Sequence, residues 1–174
     1  PVDTSEYALG LHASTLVRDG GTLQIGIGVL SDALVHALLL RHQQNADYRA
    51  VLDALGNVDA ELCARRGGAE HFARGLYGAS EMVMDGFMQL ARAGILSRRV
   101  FDDLNVEKAL ATGRDVDVSG RHDGRYLRGA FYLGSKDFYA WLRGLRGADF
   151  DGLSMTCVSD INQLYGGRET LAAL

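Results

Sequence analysis

The sequence predicts an α/β domain, a mostly parallel open sheet with flanking helices. Three segments carry that reading, each a run of β-formers that passes through a small-residue turn into helical spacing. Residues 22–25 lead into Gly26-Ile27-Gly28 and a helix, residues 76–79 lead past Glu81 into a helix at Asp85, and residues 126–133 lead through Gly134-Ser135 into a third. In sheets of this kind ligand loops gather at the carboxyl ends of the strands.

Taken in order, Asp3-Thr4-Ser5-Glu6 offers an N-cap with acidic character, and Tyr7, Leu9, Leu11, Leu16 and Val17 extend a helix that the Asp19-Gly20-Gly21 turn is expected to end. Residues 22–25 form the first strand, and Ser31 or Asp32 caps a second helix with Leu34, Val35, Leu38 and Leu39 on one apolar face. Residues 43–75 read as a surface insertion, polar and broken, with a short helix around Val51, Leu52 and Leu55 and an exposed turn at Arg65-Arg66-Gly67-Gly68. A short strand over 76–79 places Glu81 just beyond it, and the helix from Asp85 stops at Gly94. A helix is expected over 102–111 and a charged connector over 113–124. The strand over 126–134 is followed by a helix that Ser135 caps and that turns Phe138, Trp141 and Leu142 inward; the last strand covers 153–158.

A chain of 174 residues reads as one domain and buries roughly 70% of the surface it exposes when unfolded. Hydrophobic residues at 47% and charged residues at 23% disfavour both disorder and membrane spanning, and the longest apolar run, 37–40, is far too short for a bilayer. The net charge of −4, with no block of Lys or Arg, argues against nucleic acid as a partner. Cys63 and Cys157 give neither a disulfide framework nor metal-ligand spacing, and His42 and His71 have no second ligand nearby in sequence, so no metal site is expected. No charged segment followed by an apolar stretch opens the chain, which points to the cytoplasm.

The chemistry concentrates in two places. Gly26 and Gly28 allow main-chain N–H groups to approach a ligand at a helix start, where an anion or a developing oxyanion is stabilised. The third glycine of a dinucleotide fingerprint is replaced by Ser31, so a dinucleotide site is a poor fit. Glu81 follows another small-residue segment. The residues by themselves leave open a ligand-free turn at 26–28 and a helix-start carboxylate at 81.

Gly26-Ile27-Gly28-Val29-Leu30-Ser31-Asp32-Ala33 resembles the G-I-G-x-[IL]-x-[DN]-A loop of the acetyl-CoA hydrolase/transferase family, the class I CoA-transferases of acetate and 4-hydroxybutyrate type. Ser80-Glu81-Met82 with Asp85-Gly86 is similar to that family's [TS]-E-M-x-x-D-G segment, and residues 130–139 resemble its later strand-G-S-helix unit. The resemblance implies a CoA-transferase-like C-terminal domain belonging to a longer chain, with an N-terminal domain missing, dimerisation as its assembly, and little turnover by the isolated piece. It implies Glu81 as the nucleophile that forms an acyl-glutamyl anhydride and then a glutamyl-CoA thioester. Gly26, Ile27, Gly28, Val29 and Leu30 would contact CoA or the reacting carbonyl. Acyl-CoA and a small carboxylate, or water, are the implied substrates, with no tightly bound cofactor and no membrane. The alternative is a non-catalytic acyl-CoA-binding or assembly domain. The long interval between loop and glutamate is what marks 43–75 as inserted, and a G-x-G-G segment after the last strand is missing.

Overall fold

The structure, a computed structural model, describes residues 2–155. Among them the chain runs α1 (Thr4–Ser14), β1 (Thr22–Leu23), α2 (Val29–Gln43), α3 (Asn45–Leu55), α4 (Ala60–Arg66), β2 (Tyr77–Val83), α5 (Asp85–Arg92), α6 (Leu104–Ala111), β3 (Leu127–Tyr132), α7 (Lys136–Gly144), α8 (Gly147–Asp151) and β4 (Leu153–Met155). The strands form one sheet in sequence order, β1-β2-β3-β4, and each pairing is parallel, with Thr22 opposite Tyr77, Gly78 opposite Leu127 and Leu127 opposite Leu153. The α/β class and the parallel sheet expected from the sequence are what the chain forms.

With right-handed crossovers, strands that step in one direction bring their helices to one face. The core follows that rule. Val35 and Leu38 of α2, Phe87 and Leu90 of α5 and Phe138 of α7 pack with Leu23, Val83 and Leu127 in a single cluster. Gly78 lies so close beneath that a Cβ there would come 2.5 Å from Leu127 Cδ1 and 3.2 Å from Phe87 Cε1, which is why the position has no side chain.

α2 is a middle layer. Val35 and Leu38 face the sheet, whereas Ala33 lies under α1, where a Cβ on Gly10 would come 2.6 Å from the Ala33 carbonyl carbon. A helix covered on two sides carries apolar residues nearly all round, so the single apolar face expected for it is too narrow. Its Arg41 is almost fully buried, donating through Nε to Glu70 O (2.6 Å) and through Nη1 to Ser14 O (2.9 Å) and Val17 O (2.7 Å), with its guanidinium 4.4 Å above the Phe72 ring. Burial lowers its pKa, the nearby Tyr48 and Asp19 opposing that shift.

Several boundaries differ from the sequence reading. α1 has the expected Asp3 cap, with a reciprocal bond from Asp3 N to Glu6, but it ends at Ser14 and not at the glycine pair. The chain there tightens into three-residue turns, with Thr15 Oγ1 also donating to His12 O at 2.7 Å. Asp19 ends up accepting the N–H groups of Ala73, Arg74 and Gly75 at 2.9–3.1 Å, which ties this turn to the entrance of β2. The stretch 43–75 adds no strand to the sheet, yet it is more than polar surface. It supplies α3 and α4, its Tyr48 and Leu52 bury with Leu11 and Ala37, and Phe72 enters the main core. The strand expected over 153–158 is described at Leu153–Met155; its remainder and Cys157 lie outside the described residues. Cys63 is half-buried and free.

Candidate functional site

β1 and β2 run parallel with Leu23 opposite Gly78, and two residues further along, Ser80 Oγ donates to Ile25 O at 3.1 Å. The next residues on the two segments are Gly26 and Glu81, so the glycine loop leaves β1 next to the part of β2 that carries the carboxylate, towards the carboxyl end of the sheet. Glu81 is inside β2 and not beyond a short strand, because the ladder to β3 continues through Met82 opposite Phe131 and Val83 opposite Tyr132. It is nevertheless exposed, in a strand whose residues 77–80 and 83 are buried. Ser80, 2% exposed, shares its single hydroxyl proton between Ile25 O and Met82 O (2.9 Å), and so reaches across the residue that carries the carboxylate.

The loop itself is fixed by backbone geometry. Gly28 has φ 119° and ψ 171°, a conformation that side-chain-bearing residues scarcely adopt, and it is the N-cap of α2. The cap is therefore Gly28, three residues before the expected Ser31, and no side chain satisfies the first N–H groups of the helix. The Asp32 N–H bonds to Gly28 O at 3.1 Å, which leaves Val29, Leu30 and Ser31 as the first-turn donors of α2. α5, starting four residues after Glu81, likewise has no side-chain cap. Two helix N-termini thus flank the carboxyl end of β2, each with the positive end of its dipole outward.

Gly26, Ile27, Gly28, Val29 and Leu30 are all exposed, and Cβ atoms at Gly26 or Gly28 would meet nothing within 4 Å. A side chain at either position would therefore collide with nothing in the chain, only with an incoming molecule. Ile27 at 69% and Leu30 at 52% exposure, with Leu133 at 53% after β3, make this end of the sheet unusually apolar for a solvated surface.

Asp85 and Ser135 form a contact that the sequence did not reveal. The Asp85 carboxylate accepts the Ser135 N–H at 2.9 Å and the Ser135 hydroxyl, joining the start of α5 to the cap of α7. Ser135 Oγ also accepts from Phe138 N at 3.2 Å, the cap expected of it. The adjoining glycines are there for space, since a Cβ on Gly86 would come 2.9 Å from Val35 Cγ2 and one on Gly134 would come 2.5 Å from Phe138 Cδ1. Asp-Gly and Gly-Ser were legible as motifs; their meeting across 50 residues needed the parallel register.

The histidines take no part. His42 Nδ1 accepts the Phe72 N–H at 3.3 Å, its pKa is lowered by burial and by neighbouring His71, and its ring lies 6.0 Å from that of Phe72. Among the described residues no three His, Cys, Asp or Glu side chains are grouped to hold a metal ion, and no helix is long and apolar enough to cross a membrane.

No protein-family model matches this chain. Over 111 residues, 64% of its length, it is 29% identical to the 4-hydroxybutyrate coenzyme A transferase of Clostridium kluyveri. The match spans 17% of that protein. This distant similarity relates the chain to a CoA transferase over the larger part of its own length and a small part of the relative's.

Proposed function

We propose that the chain forms part of an enzyme that moves CoA between an acyl-CoA and a small carboxylate, with Glu81 as the nucleophile. The observation that carries this reading is the Ser80 to Ile25 bond, which sets the strand leading into the glycine loop and the uncapped α2 against the residue preceding an exposed carboxylate. In the first step a Glu81 oxygen attacks the thioester carbonyl, the C–S bond breaks, and an acyl-glutamyl anhydride and CoA thiolate result. The thiolate then attacks the glutamyl carbonyl, releasing the acyl group as a carboxylate and leaving a glutamyl-CoA thioester. A second carboxylate reverses the sequence and takes the CoA; water in its place would give hydrolysis.

Each tetrahedral intermediate carries an oxyanion, and first-turn N–H groups of α2 are suited to it because they have no side-chain acceptor to give up. The exposed Ile27, Leu30 and Leu133 would keep water away from the anhydride. The rest of the CoA surface would come from elsewhere in the full-length protein.

The test is chemical. The full-length protein incubated with acyl-CoA and no acceptor, then reduced with borohydride, should yield a peptide modified at Glu81. Glu81→Gln should abolish acyl exchange while acyl-CoA still binds, and Glu81→Asp should cost on the order of 10²-fold in rate, because the carboxylate withdraws by about 1 Å. A fully active Glu81→Gln enzyme would falsify the assignment.

A further inference from the structure

A concave site lies at the opposite end of the sheet from Glu81. Leu96, bridged to Leu76 ahead of β2, and Tyr126, immediately ahead of β3, mark the amino-terminal edge of the strands. Between them, the end of α5, the end of α7 and α8 line an open cavity of about 480 Å3. That volume lies within the range that small ligands occupy, and its wall is mixed: Leu96, Tyr126, Trp141 and Leu145 give it an apolar side, and Arg92, Ser97, Arg99 and Asp149 a polar one. It shares no residue with the Glu81 end.

The charged groups identify the ligand chemistry. Two cations and one acid reach the cavity, Arg92, Arg99 and the Asp149 carboxylate, the last without a side-chain hydrogen bond or ion pair among the described residues, which leaves a net positive charge there. Arg99 is structural, donating through Nη1 to Gly124 O at 3.0 Å and through Nη2 to Ala148 O at 2.9 Å. Arg92 is exposed in the last turn of α5 and takes part in no hydrogen bond or ion pair among the described residues. A guanidinium with its donors unused, beside a cavity with one apolar side, suits a carboxylate held bidentately. The turn at Gly94, with φ 75°, folds the chain back after Arg92 and brings Leu96, Ser97 and Arg99 into the wall. Tyr126 holds the far side in place by donating its hydroxyl to Asp149 O at 3.0 Å.

We infer that this cavity binds a small carboxylate with an apolar body, the carboxylate on Arg92 and the body against Trp141 and Leu145. Trp141 is the chain's single tryptophan, so its fluorescence reports directly on occupancy. The 174-residue chain is titrated with 4-methylpentanoate, and in parallel with 4-methylpentan-1-ol and 4-methylpentylamine, which keep the body and remove or reverse the charge. A saturable change with the carboxylate alone is expected, weakened about tenfold by Arg92→Gln and partly restored by Arg92→Lys. Glu81→Gln should leave it unchanged, which separates this site from the catalytic proposal. No saturable response to the carboxylate, an equal response to the alcohol, or undiminished binding in Arg92→Gln overturns the inference.

Discussion

Gly26 and Gly28 look alike in sequence, and the structure makes them a matched experiment. A Cβ at either position would meet nothing within 4 Å, so steric crowding is the same for both. Only Gly28 has a left-handed φ, 119° with ψ 171°. Gly28→Ala therefore carries a backbone cost of about 1–3 kcal/mol, whereas Gly26→Ala is expected within about 1 kcal/mol of the parent, on the stabilising side through reduced freedom of the unfolded chain. For a domain of this size 2 kcal/mol corresponds to a fall in Tm of roughly 4–8 °C. Urea unfolding and thermal denaturation of the two variants supply the stability comparison, and acyl-CoA calorimetry on the full-length protein supplies the other readout. Both alanines project into the space assigned to the ligand, so both should weaken acyl-CoA binding, and Gly28→Val more so. Only the Gly28 variants should lose stability. Equal stability of the two alanine variants would refute the conformational argument, and unchanged affinity in both would remove the loop from the ligand site.

Four further outcomes are expected. Leu52→Ala should destabilise by about 2–5 kcal/mol, since the side chain is buried with Leu11, Ala37 and Tyr48, and replacing 43–75 by a short linker should broaden or abolish the cooperative transition; an unaltered urea midpoint would return the stretch to the surface. Arg41→Met removes the guanidinium from three carbonyls, of which only Ser14 O keeps a backbone donor in Val17 N–H, and should cost about 3 kcal/mol in the same assay, with Arg41→Lys recovering only part of it. Asp85→Ala removes both acceptors of Ser135 and should cost about 1–2 kcal/mol, with lost amide protection in the first turn of α7 as its local signature in hydrogen exchange. Burial, with help from Asp149, pushes Tyr126 up to about 12 from 10.0, so the folded state holds its phenolic proton where the unfolded state has lost it. Stability should therefore be unaffected by this group below pH 10 and fall between 10 and 12, and Tyr126→Phe should flatten that alkaline limb in a pH series of unfolding midpoints.

What the sequence exposed and what it concealed divide along a physical line. Local signals were readable: Asp3 and Ser135 cap the helices expected of them, Gly94 ends α5, and three strand-to-helix units are enough to fix a parallel sheet. Conditions set by distant neighbours were not. Nothing near Ser14 in sequence announces the end of α1, and Gly28 caps α2 through a backbone conformation that Ser31 and Asp32, the better capping residues by type, made easy to overlook. Tyr48, Leu52 and Phe72 sit among polar residues whose pattern hides how deeply they bury. At the candidate site, Glu81 and the glycine loop stood out as chemistry, whereas Ser80, Asp85 and Ser135 acquire their roles only when segments 55 and 50 residues apart are laid next to each other.

The order β1-β2-β3-β4 has a bearing on how such a sheet is assembled. Among the described residues, no strand has to slip between two that are already paired. Each new β-α unit adds to the outer edge left by the one before, in the same direction in which a ribosome delivers the chain. The first pairing, β1 with β2, closes the longest interval, and α1, α2 and α3 pack with one another inside or just before that interval. A helical layer made of near neighbours in sequence can thus shorten the search for β2 before any sheet exists. Growth of the sheet is then a matter of extension at one side, and the residue that forms the first seam, Ser80 against Ile25, is the one that also sets the glycine loop beside Glu81.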